Sequence, residues 1–171
     1  FEVIMPDGPK INYLFSIHSS NSNLLAVYGG YSVTYNPYTF LNLGLTSFGV
    51  SKYTDNQWLN IPYEDVLGAK SLTRISSNPN NENEVYVSSY DKGLLKIESD
   101  IPTTLFNESN SSLKSLDASS TSNIRIGPST FDRNGNLWVT NSRVSTGLNV
   151  LKTNGQWQAY NMSTIIDNVV N

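Results

Sequence analysis

The sequence contains no cysteine. Disulfides, thiolate metal sites and a cysteine nucleophile are therefore excluded. Such a chain fits a reducing compartment, or a bacterial exported protein that holds together without disulfides. Charge is scarce as well: 15% of the residues are charged, against about 25% in an average soluble domain. The formal net charge is −3 and no basic block occurs. That removes the electrostatic footprint of a nucleic-acid binder and a patch for anionic membranes. No apolar run approaches the roughly 20 residues that cross a bilayer as a helix. The first ten residues hold Pro6, Asp7, Gly8 and Pro9 where a signal peptide needs an apolar core. The chain opens on Phe1 and not on Met, and it reads as a processed or excised piece, so this says nothing about the parent protein.

Catalytic patterns are equally sparse. His18 is the only histidine, beside Ser19 and Ser20. A Ser-His-Asp triad is defined by geometry, but no Gly-x-Ser-x-Gly elbow is present, and His18 reads as structural or superficial. Asp132-x-Asn134-x-Asn136 starts like a calcium loop. Such a loop needs Gly at its sixth position and a bidentate Glu at its twelfth, and here those are Leu137 and Arg143. The densest acidic group is Glu82, Glu84, Asp91, Glu98 and Asp100. Paired carboxylates do glycosidase chemistry only at a set separation, and this group reads as a solvated loop face. Gly29-Gly30 and Gly93 match no phosphate-cradling pattern. Asn107, Asn110 and Asn161 begin short glycosylation-like triplets, which chance explains in so Asn- and Ser-rich a chain. No catalytic residue, cofactor or metal is expected.

What the chain does have is aromatics and turns. Ten Tyr, six Phe and three Trp supply much of the burial, and aromatics favour strands. The sharpest unit is Phe131-Asp132-Arg133-Asn134-Gly135-Asn136-Leu137-Trp138-Val139-Thr140-Asn141-Ser142. It reads as strand, turn, strand, with Asn134-Gly135 suited to a type I′ turn and Leu137 and Val139 sharing a face opposite Trp138 and Thr140. Looser copies occur upstream. The repeats span approximately residues 14–61, 72–106 and 124–160, and residues 162–171 read as the start of a further strand. In the alignment, Val27, Val87 and Val139 share a place in the second strand. Gly49, Gly93 and Gly147 open the third strand, and Trp58 and Trp157 the fourth. Residues 107–123 read as a polar surface connection with room for one helical turn, Leu113 and Leu116 being its only large apolar residues.

Four short antiparallel strands per unit, recurring, predict an all-β chain of β-propeller blades. About three such units fit in the 171 residues, whereas closed propellers take about four to eight. The chain therefore reads as one segment, residues 1–171, forming an arc of a larger propeller. An arc should carry apolar blade faces at both ends and pair with the remaining blades of its parent.

The 131–142 hairpin, with Gly147-Leu148-Asn149-Val150-Leu151 and Asn154-Gly155-Gln156-Trp157, resembles the repeats of two-component-regulator propellers. Pro6-Asp7-Gly8-Pro9, the segment Gly29-Gly30-Tyr31-Ser32-Val33-Thr34-Tyr35-Asn36, and Gly49-Val50-Ser51 with Trp58 narrow the resemblance to PorZ-like components of the type IX secretion system. That resemblance implies a non-enzymatic scaffold at the cell surface, associated with the outer membrane. Its implied partners are other proteins of the secretion complex and lipopolysaccharide or another glycan, in a complex that processes cargo and attaches it to lipopolysaccharide. The alternative is the ligand-sensing propeller of a hybrid two-component regulator, which would be periplasmic.

Tyr31, Tyr35, Tyr38 and Phe40 lie in an excursion that the other repeats lack. Long loops on rigid scaffolds often carry function, and these aromatics are the candidate contacts for a partner or glycan. The competing reading is that they plug the blade edge, because aromatics mostly serve burial.

Overall fold

Successive side chains of a strand point to opposite faces. Where every residue of a strand is apolar or small, both faces need a cover. The second half of the strand of residues 81–89 is such a case: Val85, Tyr86, Val87 and Ser88 are all buried. The structure, a computed structural model, describes residues 7–20, 23–30, 45–117 and 122–165 and shows what covers them.

The described residues form three antiparallel sheets of four strands, each sheet from consecutive strands. The first contains β1 (Ser16–Ser20), β2 (Asn23–Val27), β3 (Val50–Thr54) and β4 (Gln57–Ile61). The second contains β5 (Leu72–Asn78), β6 (Asn81–Ser89), β7 (Gly93–Glu98) and β8 (Ile101–Phe106). The third contains β9 (Ile126–Phe131), β10 (Leu137–Asn141), β11 (Leu148–Leu151) and β12 (Trp157–Tyr160). The middle strand β5 touches β1 on one side and β9 on the other. Three sheets stacked face to face with their first strands adjacent are propeller blades around a common axis. The predicted repeats thus correspond to blades 1, 2 and 3, and no α-helix occurs among the described residues.

Two cores hold the stack. Between blades 1 and 2, Leu25, Val27, Val50 and Ile61 meet Leu72, Ile75, Val85, Val87, Leu95 and Ile97. Between blades 2 and 3, Tyr86 and Leu94 meet Ile124, Ile126, Leu137 and Val139. Polar links add to each interface. The Gly29 amide donates to the Leu72 carbonyl at 2.8 Å, and Ser76 Oγ donates to the Ser129 carbonyl at 2.7 Å. Lys52 reaches across to Asp100 at 2.7 Å; with Asp100 over a third exposed, this pair is worth at most about 1 kcal/mol.

Three sequence-based expectations change. First, residues 107–117 are more than a surface connection. They form turns without a helix, and Leu113 is fully buried in the second core. Ser112 and Lys114 fix it there, through Ser112 Oγ to Asn149 Oδ1 at 2.7 Å and the Lys114 amide to Asn141 Oδ1 at 2.6 Å. Second, the valine register is off by one in blade 1. Ala26, Val87 and Val139 pair with Ser51, Leu95 and Asn149, each two residues past the glycine that opens the third strand. Val27 points to the opposite face, since a one-residue slip inverts every side chain. Third, the turn at 134–135 is not type I′. Gly135 alone there has positive φ, at 81°, and its amide bonds to the Asp132 carbonyl while the Asp132 amide bonds to Asn136. That is a type I turn closed by a glycine bulge. Consecutive residues with positive φ do join the third and fourth strands of blades 1 and 2, at Asp55-Asn56 and Ser99-Asp100.

At the arc's ends, the outward face of blade 3 carries Trp138, Leu148 and Tyr160, all half-buried. The outward face of blade 1 leaves Ile17 exposed, while a network of Tyr28, Ser51 and Asn60 is covered by Gly8 and Lys10. The outward face of blade 1 also carries the Tyr53–Trp58 pair, with ring centres 5.3 Å apart, on the face of Ser51 and Asn60.

Gly93 has φ of 110°, and a Cβ there would collide with the Phe106 carbonyl oxygen. Gly93→Ala should cost at least about 2 kcal/mol in denaturant unfolding, whereas Gly30→Ala, with open space around it, should stay within about 0.5 kcal/mol. Leu113→Ala should cost about 2–5 kcal/mol, the range for a buried leucine. A value near zero would return that segment to the surface.

Candidate functional site

The two blade interfaces are built alike but close differently. At the rim of the first, Leu25, Val50, Val85 and Ile97 fill the gap down to about 10 Å³. At the corresponding place between blades 2 and 3 a cleft of about 350 Å³ remains. Aromatic side chains replace aliphatic ones there: Tyr86 and Phe106 from blade 2, with Lys96 beside them, face Phe131, Leu137 and Leu151 from blade 3. The tips of three hairpins form the mouth, contributing Asn80, Gly135 and the pair Lys152 and Thr153.

One wall is a polar array. Glu84 Oε1 accepts from Asn78 Nδ2 at 2.8 Å and from the Tyr86 hydroxyl at 3.0 Å. Its other oxygen lies 3.1 Å from Lys96 Nζ, which also meets Glu98 at 3.0 Å. An aromatic cluster spans the two blades beside it, with Tyr86 edge-on to Phe131 at 5.8 Å and stacked with Phe106 at 6.4 Å. Trp157 backs Phe106 at 5.3 Å. Its indole N–H is buried without a partner, so ring packing alone fixes this tryptophan.

The electrostatics hold Tyr86, Lys96 and Glu98 in their ordinary charge states at neutral pH. Burial raises the Tyr86 phenol, and the Glu84 charge and hydrogen bond raise it further. Burial by itself would lower Lys96, but its hydrogen bonds to Glu98 and Glu84 outweigh that and raise it. The Lys96 hydrogen bond lowers Glu98, and Thr103 adds to this. The result is a neutral phenol, an ammonium and charged carboxylates in fixed positions. Such a cleft can recognise a ligand with hydrogen-bonding groups on one side and an apolar face on the other.

The sequence-predicted residues fall elsewhere. Tyr31, Tyr35, Tyr38 and Phe40 lie outside the described residues. His18 sits in β1 opposite Leu25, and burial lowers its pKa. Among the described residues it has no hydrogen bond or ion pair to a serine or carboxylate. The acidic group does not form one solvated face. Glu84 and Glu98 flank Lys96, Asp100 bridges to blade 1, and Asp91 is buried, accepting from the Asn123 amide at 3.2 Å. Sequence reasoning missed the cleft because its walls come from residues 78–106 and 131–155. The signal available was Tyr86 between Val85 and Val87, and Lys96 between Leu95 and Ile97.

Asp132 is a turn organiser. Oδ1 accepts from the amides of Asn134 and Asn136, both at 2.9 Å, and Oδ2 from Asn136 Nδ2 at 2.9 Å and Trp138 Nε1 at 3.0 Å. Donors occupy the lone pairs that a cation would need. Among the described residues no group of three or more His, Cys, Asp or Glu side chains could hold a metal ion, and no helix is long and apolar enough to cross a membrane.

Blades, cleft and hairpin tips together define an arc of a β-propeller. No protein-family model matches the sequence, and no curated protein does. Among solved structures the chain is similar to PorZ of Porphyromonas gingivalis, described as an essential bacterial surface component of the type IX secretion system. The TM-score is 0.81 at 19% sequence identity, covering 97% of this chain and 22% of PorZ. That likeness establishes the shared fold, and the chain spans about a fifth of the length of PorZ.

The hydrogen bonds from Asn136 and Trp138, in that order, hold Asp132 down to about 2, from 3.8. A depressed carboxylate pKa contributes stability above the unfolded value and loses it as pH falls through the folded one. Thermal stability should therefore drop between pH 3.8 and about 2, and Asp132→Asn should flatten that limb while lowering stability at neutral pH. Calcium should leave the melting temperature of the parent chain unchanged. A large upward shift would make the hairpin a metal loop.

Proposed function

We propose that this chain is a non-catalytic binding scaffold within a type IX secretion component, exposed on the cell surface and associated with the outer membrane. The observation that carries this reading is the likeness of nearly the whole chain to PorZ. The scaffold holds other proteins of the secretion complex, or lipopolysaccharide, while cargo is processed and attached. Two places on it suit that role. One is the excursion bearing Tyr31, Tyr35, Tyr38 and Phe40. The other is the cleft between blades 2 and 3, whose aromatic cluster and polar rim match the two sides of a sugar ring. The charges on its wall, Glu84, Lys96 and Glu98, are paired with one another, which favours recognition over catalysis.

The reading is tested by titrating the chain with lipopolysaccharide from a bacterium that secretes by this route. Binding by the parent chain is expected. Lys152→Glu at the cleft mouth should weaken it about tenfold, equivalent to about 1.4 kcal/mol, with an unchanged melting temperature. Absence of binding by the parent chain would remove the lipopolysaccharide role. Binding insensitive to Lys152 would move the contact away from the cleft.

A further inference from the structure

The two blade interfaces carry a lysine at the same position. Lys52 and Lys96 each lie three residues past the glycine that opens the third strand, Gly49 and Gly93, and each faces the following blade. Lys52 is met there by Asp100, from the turn between β7 and β8 of blade 2, at 2.7 Å. Together they line the gap of about 10 Å³ at that rim. The matching turn of blade 3, between β11 and β12, is Lys152-Thr153-Asn154-Gly155-Gln156 and holds no carboxylate. Lys96 finds its acids within its own blade instead, at Glu84 and Glu98. The second interface lacks the cross-blade carboxylate of the first, and there the cleft of about 350 Å³ stands open.

The groups left over in that cleft are mainly donors. An ammonium has three N–H bonds, and Lys96 commits two of them to Glu84 and Glu98. Lys152 has no ion pair among the described residues, so it is the charge that the lining leaves unpaired. Beside it at the mouth, Thr153 Oγ1 and Asn80 Nδ2 have no hydrogen-bond partner among the described residues. The acid of the lining is occupied: Glu84 Oε1 accepts from Asn78 and Tyr86, and Oε2 meets Lys96. Glu98 lies outside the lining and turns its other oxygen to Thr103 at 3.0 Å. Apolar surface adjoins the donors at Phe131 and Leu151, both half-buried.

We propose that the cleft between blades 2 and 3 takes an acidic side chain of a partner protein, with its carboxylate on Lys96 and Lys152 and a neighbouring apolar side chain against Phe131 and Leu151. The occupant is a polypeptide because the chain already seats one in the equivalent place: the Asp100 turn does for Lys52 what the partner's acid does for Lys96. Charge agrees, since the acid pairs the one cation the lining leaves over, through charge-assisted hydrogen bonds. It rests on the scaffold role in taking the cleft as a recognition site, and it gives that site a protein partner.

The probe is the blocked dipeptide N-acetyl-Asp-Phe-amide, titrated into the isotope-labelled chain. The backbone amide resonances of Gly135, Leu151, Lys152 and Thr153 should shift together and saturate. N-acetyl-Asn-Phe-amide, which keeps the shape and loses the charge, should bind at least about fivefold more weakly. Lys152→Gln should weaken the acidic dipeptide by about fivefold with an unchanged melting temperature. Arg133→Gln removes an equal charge from an exposed residue outside the lining and should change nothing. Absence of saturable shifts around the cleft, equal binding of the two dipeptides, or equal loss from the two variants would each overturn the proposal. Glucuronate is the remaining arm: a response to this sugar acid without one to the dipeptide would assign the cleft to a glycan and overturn the protein partner. Lipopolysaccharide binding reads out separately. Its failure would leave the dipeptide result standing, and failure of the dipeptide would leave the lipopolysaccharide role intact.

Discussion

The middle blade must be covered on both faces, and the rest of the structure follows from that. Val85, Val87, Leu95 and Ile97 project to one side of it, and Tyr86 and Leu94 to the other. A lone four-stranded sheet of this composition would leave two apolar faces in water, at about 25 cal/mol per Å². Stacking is the remedy, and stacking twisted sheets about shared inner strands yields an arc. The glycines at the starts of the third strands of blades 1 and 2 serve the same end. At Gly93 the chain takes a positive φ against the last carbonyl of the fourth strand, where a side chain would force the sheet apart.

The repeat and its sheets could be read from the sequence because they rest on local chemistry. Alternation and turn residues act within a few positions, so β10 and β12 emerged nearly at their observed bounds. Errors arose where local cues were ambiguous. Ala26 and Val27 are both small and apolar, and only pairing with β3 shows which one faces blade 2. Residues 78–83 are all polar or proline, which suits an open loop, yet the chain turns tightly between Asn78 and Asn81. Asn78 Oδ1 accepts from the Asn80 amide there, which gives the backbone a turn in place of a loop. Leu113 was misplaced for another reason. Its neighbours are polar, and its burial depends on asparagines about 30 residues away in sequence.

The cleft was invisible for a reason that concerns packing volume. The same site between blades 1 and 2 is filled by aliphatic side chains. Between blades 2 and 3 the Tyr86 ring stands 6.4 Å from that of Phe106 and 5.8 Å from that of Phe131. Rings tile less completely than branched aliphatics, and space is left at the rim. A one-dimensional reading finds which residues are large or charged; it does not find that two distant groups of them meet.

This separates the chain's most conspicuous motif from its capacity to bind. The 131–142 hairpin is sharp because Asp132 has four donors to satisfy it, and a carboxylate so engaged has little left to offer a ligand. The strand positions that repeat are consumed by stacking: they are buried against the next blade and cannot vary without opening the core. Recognition must then use what stacking leaves over, namely the hairpin tips and the gap between Tyr86 and Phe131. In a stack of blades, regularity supplies rigidity, and the departures from it supply chemistry. The acid–base pairing around Lys96 is one such departure, placed in a strand whose other inward positions are aliphatic.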